Sequence, residues 1–125
     1  MTNLEALQFT NAIIADSLCG MKLFSTIKGT ACNKDRARVW VESSKLGEFG
    51  FTRHTPIMVR FECDGIVITV DPAGTRKVAG RERNGKAISI LDICMPMQQR
   101  ADMFCGAAKL CVFIDQDIIV IRGAA

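Results

Sequence analysis

The feature that most constrains the fold is a pair of short apolar segments joined by a tight turn. PIMVRFEC (56–63) and IVITV (66–70) flank the dipeptide Asp64–Gly65. An Asp-Gly step between two apolar runs is a strong short-range signal for a β-hairpin, because glycine supplies the backbone freedom that a two-residue turn needs. The chain is therefore predicted to contain an antiparallel hairpin at residues 56–70.

The same pattern recurs about fifty residues later, which indicates an internal duplication. KLCVFI (109–114) and DIIVIR (117–122) form a second predicted hairpin around Asp115–Gln116. A strand pattern precedes each hairpin, ARVWV (37–41) before the first and AISILDI (87–93) before the second. We therefore predict a domain over residues 37–125 with two halves, 37–73 and 87–122, joined by a linker at 74–86.

Residues 1–36 precede the repeat and are predicted to add a helix and a strand. Leu4, Leu7, Ile14 and Leu18 fall near one face of a helix spanning residues 3–19. MKLFSTI (21–27) is typical of a strand, and GTACNKDR (29–36) is typical of a polar turn. The expected fold class is a small α+β protein in which two tandem half-repeats form a β-rich barrel.

Composition places the chain among single-domain globular proteins. It has 125 residues, of which 49% are hydrophobic and 23% charged. The N-terminus lacks the basic start of a secretory leader, and no apolar stretch approaches the ~20 residues that span a bilayer. The six cysteines include no CxxC pair, so we expect reduced thiols, several of them in the core, in a cytoplasmic protein without membrane association.

Residues that could support catalysis or metal binding are scarce. His54, the only histidine, falls in a turn-like segment and is expected to be exposed. Asp115 and Asp117 flank a hairpin turn, where acidic residues are common for conformational reasons. The glycines of GTRKVAGRERNGK (74–86) lack the spacing of a phosphate-binding loop. The sequence thus predicts a protein that is not an enzyme and needs no cofactor.

The strongest functional signal is the charge of the segment 74–86. It holds five basic residues and one acidic residue, while the formal charge of the whole chain is only +3. Lysine and arginine neutralise phosphates without base-specific geometry. A second basic cluster, Lys34 with Arg36 and Arg38, precedes the first strand of the repeat. The residues predicted to contact phosphates are Arg76, Lys77, Arg81, Arg83 and Lys86, with Arg36 and Arg38 assisting.

The expected exposure of the aromatic residues helps to predict which kind of nucleic acid the protein binds. Binding of single strands uses exposed rings beside basic groups. Most phenylalanines fall at expected core positions, and Trp40, which alternates outward from Val39 and Val41, is expected to pack against the N-terminal helix. Duplex DNA is therefore the favoured partner at this point, ahead of RNA.

The stretch RVWVESSKLGEFGFTRHTPIMVRFECDGIVITV (38–70) resembles the swapped-hairpin family of AbrB- and SymE-like domains. The matching residues are Val39, Val41, Leu46, Gly50, Phe51, Thr55, Pro56, Val59, Gly65, Ile66 and Ile68. In that family two such halves, from two chains, interdigitate into one small barrel. The resemblance implies nucleic-acid binding in transcription regulation, in an antitoxin or in a nucleic-acid-directed toxin. Residues 87–122 would supply the second half here, although Met95–Pro96–Met97 and Gln116–Asp117 depart from the pattern.

A second hypothesis is a protein partner. A short chain without catalytic residues also suits an inhibitor of a host defence or regulatory complex, of the kind that phages and mobile elements carry. The same basic residues would then occupy a site on another protein. The two hypotheses differ in salt dependence, which is steep for phosphate binding. The sequence leaves open whether the protein is a monomer or a homodimer.

Overall fold

The fold consists mainly of antiparallel strands. A computed structural model describes residues 21–28, 30–33 and 36–124, so the predicted helix at 3–19 and Lys34 lie outside the described residues. The strands are β1 (Lys22–Lys28), β2 (Thr30–Asn33), β3 (Arg36–Ser43), β4 (Pro56–Glu62), β5 (Gly65–Val70), β6 (Arg76–Lys77), β7 (Ala79–Arg83), β8 (Lys86–Pro96), β9 (Lys109–Asp115) and β10 (Ile118–Gly123). A single 3₁₀ turn (Leu46–Phe49) follows β3, and the helix α1 (Met97–Met103) follows β8.

These strands form two antiparallel sheets. The six-stranded sheet has the order β1-β9-β10-β5-β4-β6, and the four-stranded sheet has the order β2-β3-β8-β7. Together with α1 they give a small α+β architecture, as predicted. The predicted closed barrel is not observed: among the described strands, β1 and β6 end one sheet, and β2 and β7 end the other.

The main hydrophobic core lies between the two sheets. Successive side chains of a strand point to opposite faces of its sheet, so one set of apolar side chains from each sheet lies on the inner face. The four-stranded sheet contributes Val39, Val41 and Leu91, and the six-stranded sheet contributes Ile66 and Ile68, all nearly or fully buried. A second buried cluster on the opposite face of the six-stranded sheet contains Met21, Val67, Cys111, Phe113 and Val120.

Both predicted hairpins are present, but each turn lies one residue away from its predicted position. Glu62 pairs with Gly65, so the first turn is Cys63–Asp64, and Asp115 pairs with Ile118, so the second is Gln116–Asp117. Gly65 lies in β5. A Cβ at this position would overlap the carbonyl oxygen of Ile121 in the neighbouring strand. Its glycine is thus explained by close strand packing and not by turn geometry.

Two segments predicted as irregular carry strands. Residues 29–36, predicted as a turn, contain β2, which pairs with β3. The segment 74–86, predicted as a linker, contains β6 and β7, which pair with β4 and β8 respectively. Val78 between them is 1% exposed, and its backbone N–H and C=O bond to the backbone of Thr55 and His54. The chain therefore passes from one sheet to the other at Val78 and anchors both.

Candidate nucleic-acid interface

The outer face of the four-stranded sheet collects most of the predicted phosphate-binding residues. Because Ala37, Val39 and Val41 point into the core, the alternate residues of β3 point outward. The strand register places Trp40 beside Asp92 of β8, and Arg83 of β7 beside Lys86 of β8. We call this surface the basic face. Its charged and aromatic residues are Arg36, Arg38, Trp40, Glu42, Arg81, Arg83, Lys86 and Asp92.

Two of the predicted phosphate ligands form ion pairs on this face. The guanidinium of Arg81 donates to Oε2 of Glu42 at 2.6 Å, and Nε of Arg38 lies 3.0 Å from Oδ1 of Asp92. Exposed pairs of this kind contribute little to stability and exchange readily with other charges. They nonetheless neutralise both acidic side chains of the basic face, so its remaining charge is positive.

The other three cations of the basic face, Arg36, Arg83 and Lys86, make no ion pair among the described residues. Arg36 pairs with Pro96 at one end of β8, and Arg83 pairs with Lys86 at the other end. Ten residues of β8 separate these ends, about 33 Å at the usual rise of an extended strand. The structure thus brings members of both basic clusters, Arg36 and Arg38 with Arg81, Arg83 and Lys86, onto one surface, and the cations at its two ends have no ion-pair partner among the described residues.

Arg76 and Lys77 lie elsewhere. They form β6 at the edge of the six-stranded sheet, where the guanidinium of Arg76 lies 5.9 Å from the centre of the exposed Phe61 ring. Since β6 and β7 belong to different sheets, the five cations of the segment 74–86 do not form one continuous row. The sequence could not show this division, because it depends on Val78 being buried between the sheets.

Trp40 was expected to be buried, yet its side chain is 37% exposed on the basic face; the helix against which it was expected to pack lies outside the described residues. Its indole Nε1 donates to Oε1 of Glu42 at 3.1 Å, and the guanidinium of Arg38 lies 5.4 Å from the ring centre. The ring therefore lies between the Arg38 guanidinium and the Glu42 carboxylate, which itself accepts a hydrogen bond from Arg81. An exposed ring in such a setting is the arrangement that stacks on nucleobases.

The tip of the β7–β8 hairpin explains why two cations face each other. Asn84 and Gly85 form a two-residue turn in which both φ angles are positive, at 53° and 78°. Asn-Gly is the preferred dipeptide for this turn, whose twist matches that of the flanking strands. The signal was present in the sequence, in ERNGK, but was interpreted there only as charge. The turn places Arg83 and Lys86 directly opposite one another.

Among residues 21–28, 30–33 and 36–124, no group of three or more histidine, cysteine or acidic residues is arranged to hold a metal ion. His54 is exposed in its turn, as predicted, with a φ of 73°. Of the four cysteines whose side chains the structure describes, only Cys111 is buried, so the expectation of several core thiols is wrong for this part of the chain. Cys63 and Cys105 are exposed, and Cys94 is half-buried.

These differences predict selective thiol reactivity. Burial raises the pKa of the Cys111 thiol above its ordinary value, which lowers its thiolate fraction at any given pH, and it also shields the sulfur. We expect iodoacetamide at pH 8 to modify Cys63 and Cys105 in the folded protein and Cys111 only after unfolding in urea, as measured by peptide mass spectrometry. Equal labelling of Cys105 and Cys111 under native conditions would contradict this burial.

Comparisons with known proteins do not assign a family: no family model matches the sequence, and neither the curated proteins nor the solved structures give a match. Within the part of the chain that the structure describes, no helix is long and apolar enough to cross a membrane.

Proposed function

We propose that the protein binds nucleic acid through the basic face, contacting the phosphate backbone along the four-stranded sheet. The observation that carries this proposal is the shared orientation of Arg36 with Arg83 and Lys86, which belong to one hairpin far from Arg36 in the sequence. None of the three has an ion-pair partner among the described residues. A path of about 33 Å along β8 matches the axial length of roughly ten base pairs of duplex DNA at about 3.4 Å per step.

The exposed Trp40 ring extends the proposal from duplexes to single strands. The preference for duplex DNA depended on the expected burial of this ring. Its 37% exposure between Arg38 and Glu42 supplies a stacking surface near the middle of the face. In this binding mode, phosphates contact the cations at the two ends and one base stacks on the indole.

The proposal is tested by measuring affinity for labelled single-stranded and duplex oligonucleotides over a salt series. If three phosphates are neutralised, the log–log slope should be about −2.1 for single strands and about −2.7 for duplexes. The variant Arg36→Gln/Arg83→Gln/Lys86→Gln should lose most of this slope. The matched control Lys22→Gln/Arg60→Gln/Lys109→Gln removes three cations from the six-stranded sheet and should retain it. An equal loss in both variants would mean that only net charge matters and would overturn the proposed interface.

The contribution of Trp40 gives a separate prediction. Trp40→Ala should weaken binding of single-stranded DNA about tenfold, because one stacked base contributes roughly 1–3 kcal/mol. Binding to duplex DNA should change little, since paired bases are not available to the ring. Fluorescence anisotropy with both ligands at one salt concentration measures this difference. Equal effects on both ligands would argue against stacking.

We further propose that the chain is a tandem, internally duplicated form of the swapped-hairpin architecture. The support is the strand order: β3 pairs with β8 and β5 pairs with β10, and these are the strands that the sequence repeat treats as equivalent. The outer strands show the same equivalence between the two repeats. In the six-stranded sheet β1 lies beside β9, and β6 lies beside β4. In the four-stranded sheet β2 lies beside β3, and β7 lies beside β8. On this proposal the segment 74–86 corresponds to residues 22–33 and belongs to the second repeat. Regulatory, antitoxin and toxin roles all remain compatible with this architecture.

One observation favours the alternative of a protein partner. An open groove of about 800 Å³ lies between β1 and β3, and the side chain of Leu23 beside it is 51% exposed. Exposed apolar surface of this kind often marks an interface. The salt series separates the two functions, because an interface built on apolar contacts keeps its affinity as salt rises, whereas phosphate contacts do not.

A further inference from the structure

One end of the basic face contains a small pocket whose chemistry is more specific than that of the rest. The pocket has a volume of about 360 Å³, which lies at the lower end of the range for small-ligand sites. It lies between the end of β3 and the tip of the β7–β8 hairpin. Its lining residues are Glu42, Ser43, Ser44, Arg83, Asn84, Lys86 and Ile88.

Two unpaired cations face each other at this pocket. Arg83 and Lys86 are directly opposite in the antiparallel register, which brings their Cβ atoms to about 5 Å apart. Like charges in this position destabilise a hairpin, and the rigid Asn84–Gly85 turn prevents the strands from separating. Neither cation forms an ion pair with any described residue. A doubly charged anion would neutralise both.

The acidic residue of the pocket does not oppose anion binding. Both carboxylate oxygens of Glu42 already accept hydrogen bonds, Oε2 from Arg81 at 2.6 Å and Oε1 from Trp40 at 3.1 Å. Its negative charge is therefore compensated within the sheet. The remaining polar groups of the pocket can donate hydrogen bonds to an anion.

The serines supply these donors. The Ser43 hydroxyl oxygen accepts a hydrogen bond from the backbone N–H of Lys45 at 3.0 Å, which leaves its proton free to donate toward the pocket. The exposed Ser44 hydroxyl adds a second donor on the same rim. Hydroxyls combined with an arginine and a lysine are suited to the several oxygens of a phosphate.

We infer that this pocket binds a phosphate monoester, the doubly charged group that ends a nucleic-acid strand or a free nucleotide. The inference deepens the proposed function, since it gives the basic face a preference for phosphorylated strand ends. An internal phosphodiester carries a single charge and has two of its four oxygens esterified, so it neutralises only one of the two cations and offers fewer oxygens to the donors of the pocket. The strand would then extend from the pocket along β8 toward Trp40 and Arg36.

The first experiment tests the pocket without any oligonucleotide. Titration of the ¹⁵N-labelled protein with a nucleoside monophosphate should shift the amides of Ser43, Ser44, Asn84 and Gly85 in a saturable way. The corresponding nucleoside, which lacks the phosphate, should not shift them. Ser43→Ala and Lys86→Ala should each weaken this binding about tenfold, because each removes one charge-assisted hydrogen bond. The matched variant Lys109→Ala removes a cation of the six-stranded sheet and should leave it unchanged.

The second experiment compares strands labelled internally and carrying a 5′-phosphate, a 3′-phosphate or hydroxyls at both ends. One of the two phosphorylated strands, with the phosphate at either the 5′ or the 3′ end, should bind about tenfold more tightly than the strand with hydroxyls at both ends. This ratio of affinities should fall to about one in the variants Ser43→Ala and Lys86→Ala. Strand binding without any preference, or a preference that both variants retain, overturns the pocket but leaves the proposed function standing. Amide shifts with the monophosphate but no strand binding at low salt support the pocket and overturn the proposed function.

Discussion

Replacing Phe51 by alanine is expected to lower the free energy of unfolding by about 4 kcal/mol. Phe51 comes shortly after the 3₁₀ turn in the chain. Its side chain is fully buried and packs in the core between the two sheets. Truncation removes the apolar surface that the ring buries and leaves a cavity that the surrounding side chains fill only in part, because the strands that carry them are held in place by pairing with their neighbours. With a slope of about 2 kcal/mol/M, the urea midpoint should fall by about 2 M.

Phe61→Ala is the matched control for this prediction. It removes the same ring from a position that is 38% exposed, where the ring contacts the guanidinium of Arg76. We expect a loss of about 1 kcal/mol or less, because an exposed ring leaves no cavity. Circular dichroism during urea unfolding measures both variants. Similar losses for Phe51 and Phe61 would show that residue 51 does not lie in the core.

The second large effect is expected for Gly65→Ala, with a loss of about 3 kcal/mol. A methyl group on Gly65 would overlap the carbonyl oxygen of Ile121 and the guanidinium of Arg122. The carbonyl belongs to β10, which pairs with β5 at the centre of the six-stranded sheet, so it cannot move without disturbing that pairing. Arg122 is also confined, since its side chain is 12% exposed and lies 3.7 Å from the Asp64 carboxylate.

Gly47→Ala provides the comparison, because a methyl group there would meet only a side-chain carbon of Thr52 at ordinary contact distance. Its effect on thermal unfolding should lie within about 0.5 kcal/mol. A Gly65→Ala protein with an unchanged melting temperature would indicate that β5 and β10 are farther apart than the structure shows. A turn position for Gly65, as first predicted, would give no such steric penalty.

The extent of successful prediction differs between strands and turns. Short apolar segments located β3, β4, β5, β8, β9 and β10 to within a few residues. Apolar residues alternate with polar ones in β3, which is half-buried, and form continuous runs in β5, β9 and β10, which are buried on both faces. The predicted position of each hairpin turn was wrong by one residue. In the first hairpin, Gly65 is needed for contact with β10, a strand more than fifty residues away, and local turn preferences contain no information about that contact.

In the candidate site, too, some residues were predicted correctly from the sequence and others were not. Arg36, Arg38, Arg81, Arg83 and Lys86 were selected from charge alone, and the structure places all five on the basic face. Arg76 and Lys77 were selected on the same grounds and lie in the other sheet. Trp40 was expected to be buried. Its exposure could not be predicted from β3, because strand alternation shows that it points away from Val39 but not what lies on that side.

The sequence alone determined the composition of the strands, the recurrence of the hairpin pattern and the concentration of positive charge in the segment 74–86. These properties are local, since each depends on residues close together in the chain. The tertiary structure decided which cations share a surface, which ones are neutralised, and where a pocket forms. Those properties depend on strand register: the pairing of β3 with β8 and of β8 with β7 brings Ser43, Arg83 and Lys86 together across forty residues of sequence.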